Sequence, residues 1–452
     1  MITSTLARIV GDEHVLTGDL AAGHEIDWSR RFGGPARCVV RPGSTFEVSE
    51  VMRALSNERV PVIPQGGNTG LVGGGVPAPE GPAPVILSLT RLDWMDPVDE
   101  LSGQVSVGAG ATLGAVQRHA SAAGWQYGVD LAARETATIA GTVATNAGGI
   151  RVIAHGMTRA HVVGIEAVMA DGTVLSHLKG LAKDNTGYDL PGLLCGSEGT
   201  LAIITAVRLR LLQPDGRTSV GMIGVGDYEQ ALAVMSRARA TGKVLAAEVI
   251  DAVGMDLVMQ VAGLPWPLQQ RHRLVVLLEA ADGGDASGLP FAEEDDAIVA
   301  FDARDQARLW EYRERQSEAF SSLGVIHKLD VSVPLAHLAA CASELAELVG
   351  TFPQVTAFGV FGHLGDGNIH LEIAGPDPDD LDVDRAVLAN VASHSGSISA
   401  EHGVGRAKAA DLHLCRSAEQ VAAMRALKSA WDPAGLLNPG VIFAAVDSAR
   451  IP

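Results

Sequence analysis

The run Pro64-Gln65-Gly66-Gly67-Asn68-Thr69-Gly70-Leu71-Val72-Gly73-Gly74-Gly75 decides how this chain is read. Glycine at this density lets successive backbone N–H groups converge on one point, which makes a concave site for an anion such as a pyrophosphate. The spacing is neither G-x-G-x-x-G nor G-x-x-x-x-G-K-[ST], and lysine is absent, so neither a Rossmann fingerprint nor a P-loop is read here. Taken alone, the run is also compatible with an ordinary surface loop.

Two later segments narrow the choice. Asp130-Leu131-Ala-Ala-Arg-Glu-Thr-Ala-Thr138-Ile-Ala-Gly141-Thr-Val-Ala-Thr145-Asn146-Ala-Gly148-Gly149 is built from small and hydroxyl side chains, suited to close backbone contact with a large flat ligand. The other is Asn185-Thr-Gly-Tyr-Asp-Leu-Pro-Gly-Leu-Leu-Cys-Gly-Ser-Glu198-Gly199-Thr-Leu-Ala-Ile203-Ile-Thr205. Together the three resemble the FAD domain of the vanillyl-alcohol oxidase family, also called the p-cresol methylhydroxylase type, over about residues 33–212. The strings PQGGNTGLVGG, ATNAGG, KDNTGYDL and GSEGTL are most similar to those of D-2-hydroxyglutarate dehydrogenases and related D-lactate and glycolate dehydrogenases.

The resemblance implies an α+β fold: an FAD-binding domain over 1–213, an α+β substrate-cap domain over 214–415, and a segment over 416–452 that returns to the FAD domain. It implies that Pro64, Gln65, Gly66, Gly67, Asn68, Thr69, Gly70 and Leu71 wrap the pyrophosphate. Asp130, Leu131, Thr138, Gly141, Thr145, Asn146 and Gly148 would lie beside the flavin and its diphosphate. Glu198, Gly199 and Ile203 would lie near the adenosine half, and Asn438 would come from the returning segment. Members that attach flavin covalently place a histidine in the first loop, where this chain has Asn68 or Thr69, so non-covalent FAD is expected. His155 and His161 are expected to be ordinary polar residues.

In the second half, His363 and His370 flank Gly365-Asp366-Gly367, with apolar alternation on both sides. Two antiparallel strands around a glycine turn would bring both imidazoles within reach of one metal ion, although turn-flanking histidines also occur without metal. Glu401-His402, followed by Gly403-Val-Gly405, places a carboxylate beside an imidazole. That pair suits a metal ligand next to a general base, or a solvated turn. The dehydrogenases named above carry both motifs, HxGDGNxH and EHGxG. Their resemblance implies that His363, His370 and Glu401 bind a divalent cation, zinc or manganese, and that His402 is the catalytic base.

Arg313 and Ser317 are four apart on a helical pattern and Lys328 follows. Alone these read as surface groups; by resemblance they would clamp the carboxylates of a small anionic 2-hydroxy acid, 2-hydroxyglutarate-like or lactate-like. Ser317 stands where threonine is usual, and Glu372 stands where the 2-hydroxyglutarate enzymes have a substrate-binding asparagine. The implied activity is an FAD-dependent dehydrogenase that passes electrons to an acceptor the sequence does not identify. Three alternatives share the fold: an alkyl-transferase of the alkyl-dihydroxyacetone-phosphate synthase type, a non-catalytic flavin subunit, and a true oxidase using oxygen. The synthases carry consecutive histidines where this chain has Glu401-His402.

The remaining composition excludes several classes. The 452 residues include 34 basic and 53 acidic side chains, a net charge of −19 that argues against nucleic acid and anionic membranes as partners. Cys38, Cys195, Cys341 and Cys415 show no C-x-x-C spacing, so reduced, buried thiols are expected. No secretory signal or membrane span is read, a cytoplasmic location is expected, and a homodimer is the candidate assembly. Helices are expected over 44–58, 228–241, 303–321, 335–350 and 417–430, and a loop over 281–296. Between about 214 and 350 the alternation of strands and helices suggests a sheet with its helices on one side.

Overall fold

The computed structural model describes residues 2–281 and 296–444, so most of the loop expected over 281–296 lies outside the described residues. The chain divides into two compact units, one of residues 1–147, 157–213 and 401–452, the other of residues 148–156 and 214–400. The second unit thus ends at Ala400, before the boundary at 415 expected from the sequence, and takes up a short excursion that begins at Gly148.

The first unit contains two four-stranded sheets. One joins Val15–Leu16, Cys38–Val40, Val85–Ser88 and Val62–Gln65 in that order, its last three strands parallel. The other joins Gln104–Gly108, Ile203–Arg210, Val162–Val168 and Val174–His177, all antiparallel. The Asp171-Gly172 turn closes its last hairpin, with Gly172 at φ +84°, a left-handed conformation that suits glycine. The helix Thr45–Asn57 starts where Ser44 accepts the Glu47 N–H and buries Val48, Val51, Met52 and Leu55 on one face. The helix Ala418–Trp431 opens with a capping box between Ser417 and Gln420. Beyond it the chain pairs with the first sheet, Asn438 donating its N–H to the Val62 carbonyl at 2.8 Å.

The second unit is one seven-stranded antiparallel sheet. Its order is Ala297–Ala300, Thr218–Val225, Leu274–Ala281, Lys243–Asp251, Ala357–His363, Asn368–Ala374 and Ile326–Ser332. The expectation of helices on one side is corrected: they lie on both. Ala303–Glu314 and Gln316–Ser321 cover the face of Phe361, where Phe320 fills the space beside Gly359. On the opposite face His327, on the neighbouring odd position, pairs with Asp384 of the helix Asp382–Ser393. Burial on both faces is why every residue of Leu274–Ala280 and Asn368–Ala374 is buried.

The helix expected over 303–321 is interrupted at Arg315. The Gln316 side chain, fully buried, donates to the Tyr312 carbonyl at 2.7 Å, the group a continuing backbone N–H would have bonded. The helix expected over 335–350 likewise starts as a 3₁₀ turn, Leu335–His337, before Leu338–Gly350. The four cysteines are unpaired, three of them buried and Cys415 half-buried. No helix among the described residues is long and apolar enough to cross a membrane.

Asp251 locks two elements of the second unit together. One carboxylate oxygen caps the helix Ala252–Ala262 through the Gly254 N–H and the other accepts the Val360 N–H, both at 2.7 Å. Burial pushes its pKa up to about 6 despite these bonds. The folded value lies above the ordinary 3.8, so its favourable contribution is complete only below pH 3.8 and is lost as pH rises from there through 6. Relative to Asp251→Asn, the wild-type protein should therefore lose up to about 3 kcal/mol of stability between pH 3 and pH 7. Urea midpoints measured across that range would show it, and parallel pH profiles would refute it.

Candidate functional site

Each unit contains a constellation of polar groups that its own topology assembles. In the first unit the strand Val62–Gln65 runs directly into the glycine loop. Among the described residues, no protein acceptor receives the backbone N–H groups of Gly66 to Gly75. Such a row of amide donors has the chemistry an anion-binding nest requires. Side chains brace the loop from outside. Gln65 donates to the carbonyls of His24 and Gly75 at 2.9 and 2.8 Å, and Asn68, at φ +53°, donates to those of Gly23 and Ile26 at 3.3 and 2.9 Å. The Asn68 side chain is therefore engaged by residues 23–26. The bracing segment carried no signal in the sequence.

Close packing explains the glycines. A Cβ on Gly66 would sit 2.2 Å from Thr138 Oγ1, and one on Gly67 only 1.9 Å from the Thr136 carbonyl oxygen. Thr138 itself caps the helix Ile139–Thr145 by accepting the Gly141 N–H, and Asn146 ends that helix in the left-handed region at φ 49°. Asn146 Oδ1 accepts the Arg159 N–H at 2.9 Å, and Thr145 Oγ1 donates to the Gly141 carbonyl at 3.1 Å. Asp130 pairs with Arg134 at 2.7 Å, Leu131 packs at the edge of the core, and Ile203 is fully buried as the first residue of its strand. These residues and the loop fit the backbone-lined cradle that a dinucleotide needs.

Glu198, expected near the adenosine half, holds a distant loop of its own unit in place. Its two carboxylate oxygens accept the N–H groups of Val404 and Gly405, each at 2.8 Å. Burial raises its pKa, while those amides and nearby Lys408 pull it down. Asn438 donates to the carbonyls of Gly74 at 2.8 Å and Glu198 at 2.7 Å. The loop after Glu401-His402 is thus fastened to the glycine loop through Glu198 and Asn438. Within the same unit His161 stacks edge-on against Tyr127, with ring centroids 5.4 Å apart. In the second unit His155 meets Asp215 at 2.9 Å. Burial lowers the His155 pKa and outweighs the attraction of Asp215. Both histidines have structural partners.

In the second unit, period-two alternation collects charge on one sheet face. Glu248 lies opposite His363, Phe361 opposite His370, His370 opposite Asp330, and Glu372 opposite Lys328. His363 and His370 are edge to face with centroids 5.2 Å apart, and both are buried. His363 Nδ1 donates to Glu248 at 2.6 Å, and His370 Nδ1 lies 3.5 Å from Asp330. A carboxylate only accepts, so Nδ1 of His363 carries a proton, and in the neutral imidazole Nε2 then keeps the lone pair that a metal ligand needs. Glu248 and Asp330 are fully buried, and neither was identified in the sequence.

Arg313, Ser317 and Lys328 reach the same face, each already engaged. Arg313 Nε donates to Glu248 at 2.5 Å, and its guanidinium stacks 4.8 Å from the Phe361 centroid. Lys328 Nζ meets Glu372 at 2.5 Å, and Ser317 Oγ donates to the other oxygen of Glu372 at 2.6 Å. Glu401 and His402 belong to the first unit, so their part in a metal site rests on sequence resemblance.

Comparison with known proteins gives the family of the chain. A family model described as an FAD binding domain matches residues 36–177, and one described as the C-terminal domain of FAD linked oxidases matches residues 216–442. The chain is 36% identical to a mitochondrial D-2-hydroxyglutarate dehydrogenase of Bos taurus, covering 96% of this chain and 82% of that protein. It is 33% identical to a putative mitochondrial D-lactate dehydrogenase of Schizosaccharomyces pombe, covering 92% and 83%. A solved alkyldihydroxyacetonephosphate synthase superimposes with a TM-score of 0.76 at 16% identity, over 97% of this chain and 84% of the other, a likeness of fold alone. The expectation of a cytoplasmic location is corrected: relatives from cattle, rice and rat are named as mitochondrial. Composition does not distinguish those compartments.

The cradle makes a steric prediction. Gly67→Ala should yield folded protein that purifies without visible flavin absorbance, because its methyl group collides with backbone. Gly70→Ala, whose Cβ would meet nothing within 4 Å, should retain the flavin. Equal flavin content in the two variants would contradict the cradle assignment.

Proposed function

The chain belongs to the FAD-linked oxidases of the p-cresol methylhydroxylase type and is an FAD-dependent enzyme related to D-2-hydroxyacid dehydrogenases; from that premise we propose that it oxidises a small D-2-hydroxy acid to the 2-oxo acid. The observation that supports this best is the histidine pair of the second unit, backed by two fully buried carboxylates. Buried acids are costly unless cationic groups answer them. Arg313 answers Glu248, and a divalent cation on the two imidazoles would answer the rest.

In this reading, which for Glu401 rests on the sequence resemblance, His363, His370 and Glu401 would hold a divalent cation, zinc or manganese. That ion, when bound, supplies Lewis-acid polarisation of the substrate hydroxyl. FAD, when bound, supplies the acceptor for the α-hydrogen and its electron pair. His402 accepts the hydroxyl proton, so one proton and one hydride leave the substrate and the carbonyl forms. Glu198 holds the loop carrying His402 through the Val404 and Gly405 amides. Glu401 favours this reading over an alkyl-transferase, whose known members carry a second histidine there.

His402→Ala should keep its FAD yet slow anaerobic flavin bleaching by substrate roughly 10²- to 10⁴-fold. Chelation should slow bleaching of the wild-type flavin as well. Near-normal bleaching in the variant would remove His402 as the base, and a fully active metal-free preparation would remove the cation. Dye reduction without peroxide release would distinguish a dehydrogenase from an oxidase.

A further inference from the structure

The charge balance of the histidine face bears on which acid can bind there. Arg151, Arg313 and Lys328 bring three cations to that face, and each is matched by a carboxylate: Arg151 by Glu279 at 3.1 Å, Arg313 by Glu248, and Lys328 by Glu372. Asp330 adds a further negative charge. The Lys328–Glu372 pair is buried on both sides, with side-chain exposures of 6% and 4%, and Ser317 completes the coordination of Glu372. A buried pair of this kind is not exchanged lightly for an incoming carboxylate, because displacing Glu372 would leave a charge desolvated and unanswered.

Position makes the pair relevant to substrate. Glu372 is two residues from His370 on the same strand face, about 6–7 Å along the sheet. An acid whose hydroxyl-bearing carbon sits at the histidines, with a chain of two or three C–C bonds of about 1.5 Å each, extends its far end toward this pair. We propose that Glu372 is a built-in counter-carboxylate that reserves Lys328 and Ser317, and so confines the substrate to 2-hydroxy acids with a single carboxylate and an uncharged side chain. The inference rests on the hydroxy-acid reading above and deepens it. It also reassigns Lys328 and Ser317 from clamping a substrate carboxylate to holding an internal one.

The test compares matched acids on the intact flavoprotein. Anaerobic flavin reduction by D-lactate and D-2-hydroxybutyrate should exceed that by D-2-hydroxyglutarate and D-malate at least tenfold in kcat/KM. Equilibrium binding of pyruvate and 2-oxoglutarate, read as perturbation of the flavin absorbance, should show the same order. In Glu372→Gln the lysine loses its partner carboxylate charge, and the KM and Kd for the diacids should fall at least tenfold. The double variant Lys328→Met with Glu372→Gln removes both charges and should show no such gain. Diacids used as well as monoacids by the wild-type protein would overturn the inference while leaving the hydroxy-acid reading intact, as would an unchanged preference in a flavin-replete Glu372→Gln variant. If no acid of either class bleaches the flavin, the hydroxy-acid reading falls and the inference falls with it.

Discussion

Two carboxylates without solvent exposure, Glu248 and Asp330, govern the second unit. An ionised carboxylate buried in protein requires a donor or cation at each oxygen. Glu248 obtains Arg313 on one oxygen and the His363 N–H on the other. Asp330 obtains the Asn368 amide at 2.8 Å and the neighbourhood of His370. The orientation of the His363 imidazole follows from its bond to Glu248, and Arg313 ties the covering helix to the same point. Removing either acid would leave several partners buried and unanswered, so the face is constrained as one network.

The sequence revealed what is local and concealed what is not. The glycine loop is contiguous, and the hairpin carrying His363 and His370 is signalled by alternation on both sides of a glycine turn, so both were readable. Glu248 is 115 positions from the histidine it orients and stands in the apolar run Val244–Ile250, where nothing nearby distinguishes it from a solvent-facing residue. Asp330 is hidden the same way within Ile326–Ser332. The error over helix placement has a physical reason too: strands such as Leu274–Ala281 are apolar at consecutive positions, the mark of burial on both faces, whereas one-sided cover would have required alternation. The break at Arg315 depends on one side-chain amide of Gln316 competing with the backbone, which residue spacing does not encode.

The two units answer negative charge by different means. The glycine loop of the first offers uncharged amide donors, which suit an anion through directed hydrogen bonds and add nothing to the charge of the protein. The second unit uses full charges, and pairs them internally. A chain of net charge −19 can accept anions under both arrangements, because local donors decide the matter at contact distance while the general field is screened.

Glu198 shows how the first unit extends the order of its cradle to residues more than two hundred positions away. Its backbone is left-handed at φ +50° and is followed by Gly199 at φ +68°, a turn that directs its side chain toward the Gly403–Gly405 loop. A Cβ on Gly403 would lie 3.0 Å from the Glu198 carboxylate, and one on Gly405 only 2.2 Å from the Val72 carbonyl. The same Val72 carbonyl accepts the N–H groups of Arg406 and Ala407 at 2.9 and 3.2 Å. The loop that follows His402 is therefore pressed between the glycine run and Glu198 with no room for a side chain at either glycine. The glycines of the EHGVG segment serve this close approach, and any displacement of the cradle at Val72 to Gly74 is carried through backbone contacts to the residues beside His402.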